Sequence, residues 1–183
     1  MRCFLALDIP LPVRTYLANV AHEHLRAGRV KWVPPEQMHV TMVFAGDIDG
    51  DTVDLLRDTV EQVELEPLEF TLSRLGCFPP RGEPRVLWAG LAGDLDALER
   101  LQQEILTFTD QADIPRDDRP FTPHVTMGRV KSPFGAYALI DQLAAASDTL
   151  RTKPFPATAL TLYRSELSRE GPVYTSLLRR PIG

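Results

Sequence analysis

The hydrophobic pattern switches repeatedly between short continuous apolar runs and runs that recur every third or fourth residue. Arg2 to Asp8 is a short apolar strand candidate. Pro10 and Pro12 follow, and Val13, Tyr16, Leu17, Val20, Ala21 and Leu25 then recur at helical spacing up to Arg26, where Gly28 predicts the stop. Val30 to Val33 reads as extended, and Met38 to Phe44 as a buried strand ended by Gly46 and a run of Asp. Asp51 opens a second helix with Leu55, Leu56, Val60 and Val63 on one face. Leu68 to Phe78 and Arg85 to Leu91 are β-rich, and Pro79-Pro80-Arg81-Gly82 between them predicts a hairpin with a long connection. Asp94 is the expected N-cap of a third helix carrying Leu95, Leu98, Ile105 and Leu106. A polar loop from Asp110 to Pro120 is the candidate for a mobile segment or a lobe crossing. Phe121 to Val130 is a strand, Ser132-Pro133 starts a helix up to Ala146, and Ala157 to Ser165 and Val173 to Arg179 are strands joined by a polar turn at Glu170-Gly171-Pro172. Helices and strands are mixed along the chain, which predicts α+β, or α/β with antiparallel pairing.

Composition narrows this picture. Of 183 residues, 44% are hydrophobic and 25% charged, which suits a folded chain with a sizeable core and excludes a disordered or collagen-like one. Apolar stretches such as Cys3 to Leu7 and Leu143 to Ala146 fall far short of the roughly 18 residues that span a bilayer, so no membrane association is expected. The apolar run after Arg2 stops at Asp8, too early for a secretory signal. The net charge of −5 argues against broad coating of nucleic acid and leaves room for a small site that grips one terminal phosphate. Cys3 and Cys77 have no CxxC partner and read as reduced cytosolic thiols. The 20 cationic residues comprise 17 Arg and three Lys; Arg forks suit phosphate, but each must be argued at its own place.

One repeat carries chemistry. His-Val-Thr-Met occurs at 39–42 and again at 124–127, nearly half the chain apart, each copy after a Pro-containing loop and at the start of an apolar strand. A repeat at half length suggests duplication and two pseudo-symmetric lobes. Strand alternation puts His39 and Thr41 on one face, with Val40, Met42 and Phe44 on the other. It likewise pairs His124 with Thr126 and sets Val125 and Met127 opposite. If the two strands meet at a pseudo-twofold axis, one cleft holds two imidazoles and two hydroxyls. Two imidazoles with reference pKa near 6.5 can serve as one acid and one base, and hydroxyls can donate to phosphate oxygens. That set suits in-line displacement at a phosphodiester without metal. The competing readings are two satisfied strand histidines, or a metal site; two His with no Cys and no carboxylate at adjacent spacing argue against the latter.

The chain resembles the 2H phosphoesterase superfamily, defined by two His-x-Thr/Ser motifs, and within it the RNA 2′,3′-cyclic phosphodiesterases, also called 2′-5′ RNA ligases or LigT-like proteins. The resemblance runs through Arg2 to Asp8, Trp32 to Gly46, Pro84 to Gly90, Phe121 to Arg129 and Leu162 to Ser165, in that order. It implies a single bilobal domain over residues 1–183, an α+β fold of two duplicated lobes whose antiparallel sheets face a central cleft. It also implies hydrolysis of RNA 2′,3′-cyclic phosphate ends, or of a cyclic nucleotide, to 2′-phosphates, with weak reverse 2′-5′ ligation and no cofactor. By the same resemblance, His39 protonates the departing O3′ and His124 activates water, while Thr41, Thr126 and Arg129 hold the phosphate. Arg129 lies five residues after His124, so simple alternation places it opposite the histidine; it reaches the cleft only if the strand twists or bulges after Gly128. Phe44 occupies that offset in the first copy, so the halves differ.

The remaining candidates are weaker. His22 and His24 are helix-end surface residues. Phe4, Trp32 and Phe121 either stack a base or pack in the core, and Arg164 either lines the cleft or pairs in solvent. Asp110, Asp113, Asp117 and Asp118 form a solvated loop, not a metal cage. The expected protein is a cytoplasmic monomer. Rivals are a ligase or phosphodiesterase for another cyclic or 2′-5′-linked nucleotide, and a non-catalytic RNA-end or nucleotide-binding module using the same cleft.

Overall fold

The computed structural model describes residues 1–116, 120–169 and 171–183. The strands among the described residues are β1 (Arg2–Asp8), β2 (Arg29–Trp32), β3 (Val40–Asp47), β4 (Glu69–Phe78), β5 (Val86–Gly93), β6 (His124–Ser132), β7 (Phe155–Pro156), β8 (Ala159–Leu167) and β9 (Pro172–Pro181). The helices are α1 (Leu11–His24), α2 (Gly50–Gln62), α3 (Leu95–Gln111) and α4 (Ala136–Thr149). The expected segments all form. The periodicity missed the two-residue β7 and a 3₁₀ turn at Pro35–Gln37, both too short to show a period.

Helix ends follow local chemistry more closely than the hydrophobic pattern does. Asp49, two residues before the expected start, caps α2 by accepting from the Thr52 amide at 2.9 Å. Asp94 precedes α3 as expected, yet its carboxylate accepts from the Glu69 amide at 2.9 Å instead of capping the helix. A residue read as a cap thus ties the start of β4 to the end of β5.

All strand pairings are antiparallel within one sheet, ordered β7-β4-β5-β6-β3-β1-β8-β9, with β2 added against β6. The fold is α+β, with an arm of β1, β3, β8 and β9 on one side of the β3–β6 seam and an arm of β2, β4, β5, β6 and β7 on the other. That seam is a single register pair, Val40 opposite Val125, the central residues of the two repeats. The arms are not the two halves of the chain. The C-terminal β8 and β9 join β1 and β3, while the N-terminal β2 crosses to β6. Each arm therefore needs strands from both ends of the sequence, and the Asp110 to Pro120 segment leads from α3, which packs against α2 and β3, to β6 in the other arm. Asp110 in that segment accepts from the Arg116 guanidinium at 2.8 Å, Asp113 lies just beyond α3 with φ of 51°, and Asp117 and Asp118 lie outside the described residues.

Leu5, Leu7, Val40, Val125 and Met127 are fully buried in the core. Burial at about 25 cal/mol per Å² of apolar surface makes that face the principal stabiliser of the sheet. Among the described residues no helix is long and apolar enough to cross a membrane.

Candidate active site

Local sequence sets each histidine. Met38 ends the Pro-bounded 3₁₀ turn in extended geometry, which delivers His39 to the threshold of β3; His124 is the first residue of β6 after Pro123. In both copies the imidazole turns back on its own chain. His39 Nδ1 lies 2.8 Å from the Gln37 carbonyl, and His124 Nδ1 lies 2.6 Å from the Thr122 carbonyl. A carbonyl can only accept, so each Nδ1 carries the proton and, in a neutral ring, Nε2 is left as the acceptor. His39 Nε2 sits 3.1 Å from the Thr41 hydroxyl. Other strands of the same arm support each ring with aromatic surface. Phe4 of β1 stacks on His39, with centroids 4.9 Å apart, and Tyr163 stands behind it. Phe78 meets His124 edge-on at 5.0 Å, beside Trp88.

Burial lowers the His39 pKa to about 4; the Gln37 carbonyl and the Asp8 carboxylate pull the other way, and His124 adds to the lowering. Asp8 is itself held by the Thr161 hydroxyl at 2.9 Å and the Tyr163 phenol at 2.8 Å. Desolvation raises the Tyr163 pKa to about 12, with Asp8 adding to it, so the phenol stays protonated and keeps donating.

Strand alternation fails just beyond each motif, and it fails the same way twice. On β3, Thr41 is opposite Ala6 but Val43 is opposite Leu5, so Met42 is an extra, bulged residue. On β6, Thr126 is opposite Trp88 but Gly128 is opposite Leu87, so Met127 is bulged. Each bulge reverses the parity of the residues after it. Phe44, expected to share a face with Val40 and Met42, instead lines the cavity beside His39 and Thr41. Arg129 reaches the same cavity, but through a bulge at Met127, before Gly128 and not after it. The offset-five places of the two copies are thus structural equivalents, one aromatic and one cationic. The Arg2 guanidinium lies 5.1 Å from the centre of the Phe44 ring, so a cation borrowed from β1 supplies the charge that Phe44 lacks.

The cavity measures about 590 Å³, and His39, Thr41, Thr126 and Arg129 all line it. His124 precedes Thr126 by two residues on the same strand, yet the cavity lining does not include it. Of the aromatic candidates, Phe4 is buried beneath His39, Trp32 lines the cavity with one side open, and Phe121 packs against the core. Arg164 pairs with Glu166 and does not line the cavity. His22 and His24 lie exposed in the last turn of α1. Among the described residues no group of three or more His, Cys, Asp or Glu is placed to hold a metal ion. Sequence reading missed Arg2, Asp8, Phe78, Tyr163 and the two carbonyls. Only Asp8 carried a signal, as a carboxylate ending an apolar strand; the others depend on register.

Comparison with known proteins places this geometry. The family model described as the 2′-5′ RNA ligase superfamily matches residues 14–169. The chain belongs to that superfamily. It is 35% identical to a Thermus thermophilus protein named RNA 2′,3′-cyclic phosphodiesterase, over 97% of this chain and 88% of the relative. It is 30% identical to a protein of the same name from Methanothermobacter thermautotrophicus, over 97% of this chain and 96% of the relative. A crystal structure of a Thermus thermophilus protein superposes with a TM-score of 0.77 at 29% identity, covering 100% of this chain and 98% of that one.

Proposed function

We propose that the chain hydrolyses the 2′,3′-cyclic phosphate at an RNA end to a 2′-phosphomonoester by two-histidine acid–base catalysis. Its relatives' names supply the substrate class. The observation that carries the chemistry is the repeated pair of imidazoles, each with Nδ1–H committed to a carbonyl two residues back. That commitment fixes the tautomer and reserves Nε2 for proton transfer.

In this reading water attacks phosphorus opposite O3′. One P–O bond forms and the P–O3′ bond breaks. His124 takes the proton from water, and His39 gives one to O3′. Thr41, Thr126 and Arg129 hold the phosphate and meet the charge that builds on its oxygens. No cofactor is assigned. The same reading takes residues 1–183 as one bilobal domain, a cytoplasmic monomer, with weak reverse 2′-5′ ligation.

One observation favours the opposite division of labour. With a pKa near 4, His39 is neutral at pH 7 before substrate binds and is fit to accept a proton. Acting as the acid requires the substrate's phosphate anion to raise that value by roughly three units, as a close opposite charge does. The product tests the role assignment together with the ribose pose. Hydrolysis of 2′,3′-cyclic AMP in excess EDTA, with the product compared to 2′-AMP and 3′-AMP standards, should give 2′-AMP. Predominant 3′-AMP reverses either the roles of His39 and His124 or the pose of the ribose. Binding without turnover replaces the enzyme by a binding module, and activity lost to chelator but restored by zinc or manganese replaces the metal-free reading.

A further inference from the structure

A residue outside the cavity holds the turn that carries His39. The 3₁₀ turn at Pro35–Gln37 ends where Met38 becomes extended, with φ of −75° and ψ of 130°. Ending there leaves the Glu36 and Gln37 carbonyls without a following turn of backbone amides to accept from. His39 Nδ1–H takes the Gln37 carbonyl at 2.8 Å. Arg14 takes the one before it: its Nη1 lies 3.3 Å from the Glu36 carbonyl and 3.2 Å from that of Pro35. The turn is tied on its other side as well, where the Gln37 side-chain amide donates to the Pro172 carbonyl of β9 at 2.7 Å. Pro34 and Gln37 line the cavity, and Arg14 is not among the lining residues. Two features of Arg14 work against stability. It puts a cation in the first turn of α1, at the positive end of the helix dipole. Its Nε is buried with no hydrogen-bond partner among the described residues, and a buried donor left unpaired is destabilising. Local choices of that kind gather at functional sites. The Arg14 charge also stands close enough to His39 to oppose protonation of the ring, as His124 does and against the pull of Asp8.

We propose that Arg14 is a positioning residue for the reaction: it fixes the Pro35–Gln37 turn, so that the Gln37 carbonyl stays where His39 Nδ1–H donates to it and Nε2 stays aimed at the reacting oxygen. This rests on the two-histidine hydrolysis proposed above and adds the residue that keeps one of its imidazoles in place. Arg14 itself touches neither the substrate nor the reacting atoms. When the Pro35 and Glu36 carbonyls lose their donor, the turn can twist away from the imidazole. The ring is then free to rotate and to exchange its tautomer, because the bond at one ring nitrogen sets the protonation of the other. A neutral ring with its proton on Nε2 cannot accept one there, and a misplacement of about 1 Å is enough to cost roughly 10²-fold in rate.

The test measures kcat and KM for 2′,3′-cyclic AMP in wild type, Arg14→Met and Arg14→Lys, each well below its Tm, together with a long-range nitrogen–proton NMR spectrum of the imidazoles at neutral pH. Arg14→Met keeps the aliphatic stem packed and removes the donors. It should lower kcat by about 10–100-fold and leave KM within about threefold, because the lost group does not contact substrate. His39 should show the Nδ1–H tautomer in wild type and a mixture with Nε2–H in Arg14→Met. Arg14→Lys should keep that tautomer and hold kcat within about threefold of wild type, since a single nitrogen contacts both carbonyls and an ammonium can donate to each. Arg14→Gln, neutral and too short to reach the turn, replaces Arg14→Met should the latter not fold; if neither folds, Arg14 is structural and the proposal falls. A folded neutral variant that keeps wild-type kcat, or that loses kcat with the His39 tautomer unchanged, overturns the proposal. A rise in KM at constant kcat also overturns it, by placing Arg14 on the substrate. A wild type that does not hydrolyse the cyclic nucleotide refutes the hydrolase reading instead. The NMR arm then still decides the positioning role: a changed His39 tautomer in the neutral variant upholds it, and an unchanged one refutes it.

Discussion

His39 should make this fold acid-sensitive in a defined window. In the folded chain its pKa is about 4, because the half-closed pocket between Phe4, Tyr163 and Tyr174 strips water from the cation more strongly than Asp8 attracts it. Unfolding returns the ring to about 6.5. Between those values the unfolded chain binds a proton that the folded chain refuses, so stability is intact above pH 6.5 and falls as the pH drops toward 4. At about 1.4 kcal/mol per unit of the shift, the loss accumulated by pH 4 is about 3 kcal/mol. For a chain of this size that corresponds to a fall in Tm of roughly 6–12 °C. Thermal unfolding from pH 7.5 to 4, for wild type and His39→Gln, should show this extra slope in wild type alone. An NMR titration of the imidazole Cε1–H would locate the pKa directly, and added 2′-AMP should move it upward by placing a phosphate anion beside the ring. A His39 that titrates between 6 and 7 in the ligand-free protein would refute the claim that burial dominates this site. It would also remove the argument for exchanging the acid and base roles.

Further consequences can be checked with single substitutions. Either His39→Ala or His124→Ala should lower turnover by about 10²–10⁴, and the double variant should be little worse than either single, since acid and base act as a unit; near-wild-type activity in His124→Ala would end the two-histidine mechanism. Arg129→Ala should lower kcat/KM by about 10–100-fold, the worth of one hydrogen bond to a charged group, while leaving Tm within a few degrees because the side chain is exposed; a loss under threefold would mean that Arg129 does not touch the phosphate. Gly76→Ala should destabilise the fold and reduce activity together, because its Cβ would sit 2.4 Å from the rigid Trp88 ring that flanks His124; unchanged melting would show that the strand can shift without cost.

The sequence alone determined the strands and helices, the repeat and its chemistry, because periodicity and residue type are local properties. Arg2 to Asp8 forms a strand with those limits. His39 and His124 stood out because two copies of one tetrapeptide each open an apolar run. The facing of the residues after each motif was decided only in three dimensions. Alternation assumes an unbroken ladder, and the bulges at Met42 and Met127 arise from pairing with β1 and β5, partners that no local window contains. Those two extra residues turn Phe44 and Arg129 toward the cavity, and the register of β1 then lays Arg2 over Phe44. The composition of each arm was likewise a long-range outcome, since β2 and β8–β9 pair with strands from the opposite end of the chain. The His39 pKa belongs to the same class. Its residue type gives about 6.5, and only the aromatic surface packed around the ring from β1, β8 and β9 brings it to about 4.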